Sequence, residues 1–436
     1  MQKLLPKSIL LASLLWWQAA PAADLMEVYA LALKNDAELM IAESNYIAAI
    51  QALPLAQSVR RPQINFNASA EARESDNSET GTNSSDRVGY ALNLSQTLYD
   101  TESRGDVQVA EANVSAELAR LQSARQGLMI RVANSYFSIL AAEDNVEFAY
   151  AERNAIARQL EQAQKRFEVG LIAITDVQEA QASFDNSEAQ VILAENILEN
   201  SFQSLVVLTA DSSIRELAPL GETLTLTLPN PSLVQSWVAL ALSNNLDLLA
   251  AQHSLNAARY ERDKDTRNRY PTVDLFASYE DNDRSNDLLG DARQDDITVG
   301  VELDIPLYAG GRLPTERAES AARFASAQSN LLLQNRLASQ QSRTAYLDVV
   351  SGISQVNALS QALESSNLAL EATQAGFEVG TRTSVDVLIS LRETYRTQRD
   401  YAAARYQYLL DKLRLKQAAG LLSEDDLADI NRSLVR

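Results

Sequence analysis

Apolar positions along the chain keep two periods, helical and alternating, and the whole succession is written twice. Positions 24–35 read as a short helix stopped near Asn35, and 37–59 as a second helix ending before Pro62. Then the period drops to two. Ile64, Phe66, Ala68 and Ala70 alternate with Asn65, Asn67, Ser69 and Glu71, while Val88, Tyr90, Leu92 and Leu94 alternate with Gly89, Ala91, Asn93 and Ser95. Helical spacing returns with Val107, Ala110, Val114, Leu118, Leu121, Leu128, Val132 and Tyr136. No proline interrupts it up to Phe167, a run of roughly 65 residues or about 100 Å of helix. Beyond a glycine the spacing tightens to sevens. Val177, Phe184, Val191, Leu198 and Leu205 form one seam, and Ala180, Ser187, Ala194, Ser201 and Leu208 a second of mostly small residues. Such a heptad predicts close, left-handed coiling, and an ordinary exposed coiled coil has the same pattern.

The second half repeats each step. Positions 232–244 and 246–268 echo the first two helices, the latter ending before Pro271. Val273, Leu275, Ala277 and Tyr279, then Ile297, Val299, Val301, Leu303 and Ile305, give two more alternating stretches. A second long helical run, 313–377, follows. The most specific echo is short. Arg166-Phe167-Glu168-Val169-Gly170 runs on into Ile174-Thr175-Asp176-Val177, and Gly376-Phe377-Glu378-Val379-Gly380 into Ser384-Val385-Asp386-Val387, each position 210 residues farther on. Each copy reads as the tip of a helical hairpin with its glycine in the turn. The expected units are 23–220 and 232–420, with hairpins over 101–210 and 313–420. They are joined by 221–231, where Thr223 to Leu228 alternate as a short strand ended by Pro229, and followed by 421–436, which carries a short acidic helix over 423–430.

The strands, expected at 62–73, 87–99, 271–281 and 296–307, each have one apolar and one polar face. That suits a barrel wall with lipid outside and water inside; a hairpin on a soluble sandwich shows the same alternation. Polar loops are expected over 74–87 and 280–296. Four strands cannot close a barrel, and an unpaired edge cannot face lipid. Bacterial barrels begin at about eight strands, so a membrane-spanning reading requires several chains in one wall.

Composition then narrows the class. In 436 residues, Lys3 and Lys7, an apolar run from Ser8 to Trp17, and Ala20-Pro21-Ala22 read as a signal peptide over 1–22. The apolar run is too short to span a bilayer, and no later stretch is expected to be long and charge-free enough to do so. The formal charge is −20, and loss of the signal with its two lysines and no acid takes it to −22, which argues against a nucleic-acid partner. With no cysteine there is no thiol catalysis, acylation site or thiolate-held metal. His253 is the single histidine, no cluster of catalytic residues stands out, and neither enzyme activity nor a metal or cofactor is expected.

Three pieces carry a resemblance: the stretch from Arg166 to Val177, the stretch Val379-Gly380-Thr381-Arg382-Thr383-Ser384-Val385-Asp386-Val387-Leu388, and Leu307-Tyr308-Ala309-Gly310-Gly311 after the fourth strand. In these the chain resembles the TolC family of outer-membrane efflux and secretion channels, over nearly its whole length. The resemblance implies an α+β membrane protein, a homotrimer whose 12-stranded β-barrel, four strands per chain, is continuous with a long α-helical barrel built from an internal tandem repeat. It implies the outer membrane of a Gram-negative bacterium, with the helices reaching into the periplasm. The function implied is the exit duct of tripartite efflux pumps or type I secretion systems, opened by a periplasmic adaptor (a membrane fusion protein) and an inner-membrane pump of RND, ABC or MFS type. The contrasting reading is a structural coiled-coil surface or adaptor protein without a pore.

Residue by residue, Asp386 matches an aspartate that rings the periplasmic entrance, where carboxylates attract cations. The family's second aspartate, one turn on, is Ile389 here, so a weaker cation preference is expected. Thr175, Asp176 and Arg382 match residues that hold the entrance shut, and Phe377 stands where the family has a tyrosine, so that hydroxyl bond is missing. Gly170 and Gly380, with Val169 and Val379 beside them, match the tips offered to the adaptor. Read without the resemblance, Asp176 and Asp386 are carboxylates at helix starts, Thr175 with Gln178 fits a capping box, and Gly310-Gly311 is a turn.

Overall fold

The computed structural model describes residues 22–435 apart from 79–80, 222 and 287–289; the signal peptide lies outside the described residues but for Ala22. Asp24 caps α1 (Leu25–Asn35) in a box with Glu27, and Asp36 both ends that helix and caps α2 (Ala37–Ser58). Strands β1 (Gln63–Asn77) and β2 (Gly81–Tyr99) lead to α3 (Thr101–Glu168), whose start is capped by Asp100, and α4 (Ile174–Thr209) returns along it. The second set is α5 (Val234–Asn244), α6 (Leu246–Thr266), β3 (Thr272–Asn286), β4 (Ala292–Asp304), α7 (Arg312–Glu378) and α8 (Ser384–Ala418). A last helix, α9 (Glu424–Asn431), carries a Ser423–Asp426 capping box. The glycine pair after β4 is the expected turn, with φ of 59° at Gly310 and 86° at Gly311.

The strands form one antiparallel sheet in the order β1-β2-β3-β4. Its register sorts the side chains by face. Ile64, Leu94, Ala277 and Val299 make one cross-strand row, and Phe66, Leu92, Tyr279 and Ile297 the next row on that face. Asn65, Asn93, Ser278 and Thr298 make a row on the other face. On β4 the apolar face runs from Ile297 to Leu303, about 20 Å of strand at ~3.4 Å per residue and about 16 Å of membrane depth at a ~40° tilt. Ile297, Val299, Val301 and Leu303 are 60–78% exposed, as a lipid-facing stripe is in an isolated chain. Both β1 and β4 present a bare edge within one chain.

Three expectations are corrected. The segments read as polar loops, 74–87 and 280–296, are largely strand. Pairing continues from Glu71↔Arg87 up to Asn77↔Gly81, and from Glu280↔Asp296 up to Arg284↔Ala292. Above the lipid both faces meet water, so the apolar alternation stops while the backbone ladder does not. Thr223 to Leu228 is not a strand. Leu224 and Leu226 turn onto the core, and the N–H of Thr227 donates to the Tyr408 hydroxyl at 2.8 Å where a neighbouring strand would have accepted it. Thirdly, α2 and α4 are long and apolar enough to cross a membrane by length and composition. Each instead packs along α3. Met40, Ile41, Ile47 and Leu55 of α2 stay exposed in the single chain.

The largest apolar core lies midway along the long helices. Tyr136 and Tyr408 are fully buried there, Tyr136 donating to the carbonyl of Ala218 at 2.8 Å, and Phe137 stacks on Tyr406 with centroids 5.8 Å apart. Leu25, Val28 and Trp237 of the short helices join it, as do Leu427 and Ile430 of α9. The result is a packed girdle from which both hairpins hang as paired helices with no further layer around them.

Candidate channel entrance

At the far end from the sheet, α3 and α7 stop in the same way. Gly170 takes φ 74° and donates to the carbonyl of Phe167 at 2.9 Å, while Leu171 reaches back to Arg166 at 2.9 Å. Gly380 takes φ 81° and donates to Phe377 at 3.2 Å, with Thr381 reaching Gly376 at 2.8 Å. These are the paired bonds of a left-handed helix cap, which a Cβ would strain. Side chains on the turns point outward, with Val169, Leu171 and Val379 70–76% exposed.

The returning helices start differently. Thr383 is the N-cap of α8, and its Oγ1 accepts from the Asp386 N–H at 3.2 Å. Asp386 answers by accepting from the Thr383 N–H and hydroxyl, both at 2.9 Å. That backbone bond, then the hydroxyl bond, holds the Asp386 carboxyl below the usual range, so it stays ionised at neutral pH. On α4 the N-cap is Ala173, which has no side chain to accept a bond. Thr175 therefore sits inside the first turn, and the capping box expected of Thr175 and Gln178 is not formed.

Phe377 is 7% exposed, with the Arg166 guanidinium carbon 4.1 Å above its ring centroid. The end of α3 thus clasps the end of α7 through a cation over an aromatic face. Behind it Ile156, Leu160, Ala163, Val177 and Ala180 of the first hairpin meet Leu388 and Leu391 of the second. Higher up, Glu152 of α3, itself 7% exposed, accepts from Arg399 of α8 at 3.0 Å. Arg382 lies exposed on the second turn, its stem close enough to Gly376 that a Cβ there would come within 2.8 Å of its Cγ. Among the described residues of one chain, no hydrogen bond or ion pair joins Arg382 to Asp176 or Thr175. Thr175 is exposed and Asp176 half-buried. Arg166, Glu152 and Arg399 escaped the sequence reading. A signal existed for Arg166, because the repeat pairs it with Gly376, a cation against nothing.

A sequence profile described as outer membrane efflux protein matches residues 28–211 and again 237–421, one match to each half. The chain belongs to the outer membrane efflux protein family. It is 36% identical over 437 residues to the outer membrane protein TolC of Vibrio cholerae, covering 100% of this chain and 99% of that one. It is 30% identical to the alkaline protease secretion protein AprF of Pseudomonas aeruginosa, over 95% of this chain and 88% of the relative. In fold it matches the CmeC outer membrane channel of Campylobacter jejuni with a TM-score of 0.80 at 16% identity, covering 100% and 98% of the two chains. These relatives are channels and export proteins rather than enzymes. As a member of the outer membrane efflux protein family, this chain is an outer-membrane exit duct. It has the expected α+β fold, a tandem repeat whose two halves contribute four strands to one sheet continuous with long helical hairpins.

Proposed function

We propose that three copies of this chain form a duct that rests shut at its periplasmic end and is opened by a partner, passing cargo by efflux or type I secretion. The carrying observation is one continuous path: a sheet with a dry and a wet face, α3 and α7 running unbroken from it, and their far ends clasped by Arg166 and Phe377. Bare strand edges and the exposed apolar face of α2 support assembly, since each needs a second copy to cover it. The relatives named for an outer membrane channel and for protease secretion support the direction of traffic.

In this reading residues 1–22 are removed on export, and Arg382 meets Asp176 and Thr175 across a protomer boundary, because it does not meet them within one. Asp386 lines the narrowest ring, its carboxylate aimed and kept charged by Thr383. Val169, Gly170, Val379 and Gly380 meet the periplasmic adaptor, which couples the duct to an inner-membrane pump of RND, ABC or MFS type. Planar-bilayer recording tests the gate. Arg382→Ala and Asp176→Ala should each raise single-channel conductance, and an unchanged conductance in both would remove the proposed latch. Asp386→Ala should lower cation preference in reversal potentials and Ile389→Asp should raise it; no shift in either would place the ring elsewhere.

A further inference from the structure

We propose that the external mouth of the barrel carries an anion-binding collar of arginines, built for a soluble multivalent oxyanion. On the wet face of the sheet, Glu71 stands directly opposite Arg87, and Arg87 directly opposite Arg284. One row farther out on the same face is Arg73, opposite Ser85. The last large apolar side chain on the dry face is Val88, opposite Ala70, so the row of Glu71 and Arg87 stands at the outer rim of the lipid belt and Arg73 lies beyond it. Like charges directly opposite across a strand pair repel each other. Here two guanidinium groups face one another, and that row offers a single carboxylate. Among the described residues none of Arg73, Arg87 and Arg284 forms an ion pair. Among the described residues, the ion pair within the sheet, Arg293 with Asp281 at 2.6 Å, lies on the opposite, lipid-side face.

Deeper in, the wet face changes sign. Glu280 faces Asp296, Asp274 faces Glu302, and Thr272 faces Asp304. An anion that reaches the mouth is thus held at the guanidinium row and turned back below it. Phosphate-type oxyanions fit best, because a guanidinium fork matches their oxygens in pairs. A lipid headgroup is the wrong source, since the collar points into the lumen. Three copies would bring nine arginines to one ring of water.

The inference rests on barrel assembly and on nothing at the periplasmic entrance. The test is calorimetric titration of inorganic tripolyphosphate into the detergent-purified full-length trimer at low salt. Saturable binding is expected, weakened at least ten-fold by Arg87→Gln with Arg284→Gln and unchanged by Arg293→Gln. Should the double variant fail to assemble, Arg73→Gln alone is expected to weaken binding about three-fold. Unaltered affinity in the double variant (or in Arg73→Gln where that variant stands in), or an equal loss with Arg293→Gln, overturns the collar. A trimer that conducts ions but binds no tripolyphosphate refutes the collar and leaves the duct standing; a monomer refutes both.

Discussion

The two hairpin tips are copies of one motif, yet they end in opposite chemistry. The first tip is uncapped at Ala173, carries Leu171 where the second has Thr381, and leaves Phe167 41% exposed. The second buries the matching Phe377, seals its returning helix with Thr383 and Asp386, and adds Arg382. Duplication preserved the turn, which backbone geometry dictates through Gly170 and Gly380. It released the side chains, so one tip became a greasy knob and the other a self-capped holder of a charge. Divergence concentrated where the fold did not need the residue.

The largest effect should come from exchanging the phenylalanines' fates. Phe377→Ala removes a buried ring and leaves Arg166 stranded, a loss of about 3 kcal/mol on the usual scale for such truncations. Single-channel conductance should rise several-fold, while Phe167→Ala should leave it nearly unchanged. Equal responses would mean that the tips are not divided as described. Next comes the tie above them. Arg399→Ala strands the Glu152 carboxylate, and because Arg399 is partly exposed the cost should fall near 2 kcal/mol, below the range for fully buried pairs. Protease cleavage at the tips should quicken, and Glu152→Gln with Arg399→Gln should restore much of the protection.

Smaller shifts should follow from the caps. Thr383→Ala removes both bonds from the Thr383 hydroxyl but not the backbone bond to Asp386. The carboxyl is held low in the folded protein, so its contribution is present above its ordinary range and lost as pH falls through its lowered value. Cation preference should therefore fade at a higher pH in Thr383→Ala than in the parent, read as the midpoint of reversal potential against pH. The reciprocal change is the mildest. Ala173→Thr should stabilise the first turn of α4 by at most about 1 kcal/mol, visible as slower amide exchange there. If Ala173→Thr instead abolished export, an open cap would be part of the mechanism.

Much of this architecture is legible in the sequence. Pro62 and Pro271 announce helix ends, and alternation from Val273 to Tyr279, broken only at Phe276, announces a two-faced strand. Strand tops could not be read, because Glu74 to Asn77 are held by the backbone ladder and polar side chains, which leave no hydrophobic signature. Thr223 to Leu228 misled for the converse reason. Their alternation is real, but Tyr408 occupies the place of a neighbouring strand. At the entrance, the repeated motif marked both glycine turns. Arg166 over Phe377 joins residues 211 positions apart, and no local pattern predicts which cation will find which ring.

The girdle around Tyr136 and Tyr408 fixes where motion can begin. Below Val356 of that core, α7 runs on for 22 residues to Glu378 with neither proline nor glycine before Gly376. That is a lever of roughly 30 Å, and a ten-degree swing at the girdle would carry its end about 5 Å sideways. Three levers parting by that much widen an aperture without melting a single turn, so the work of opening reduces to releasing fingertips.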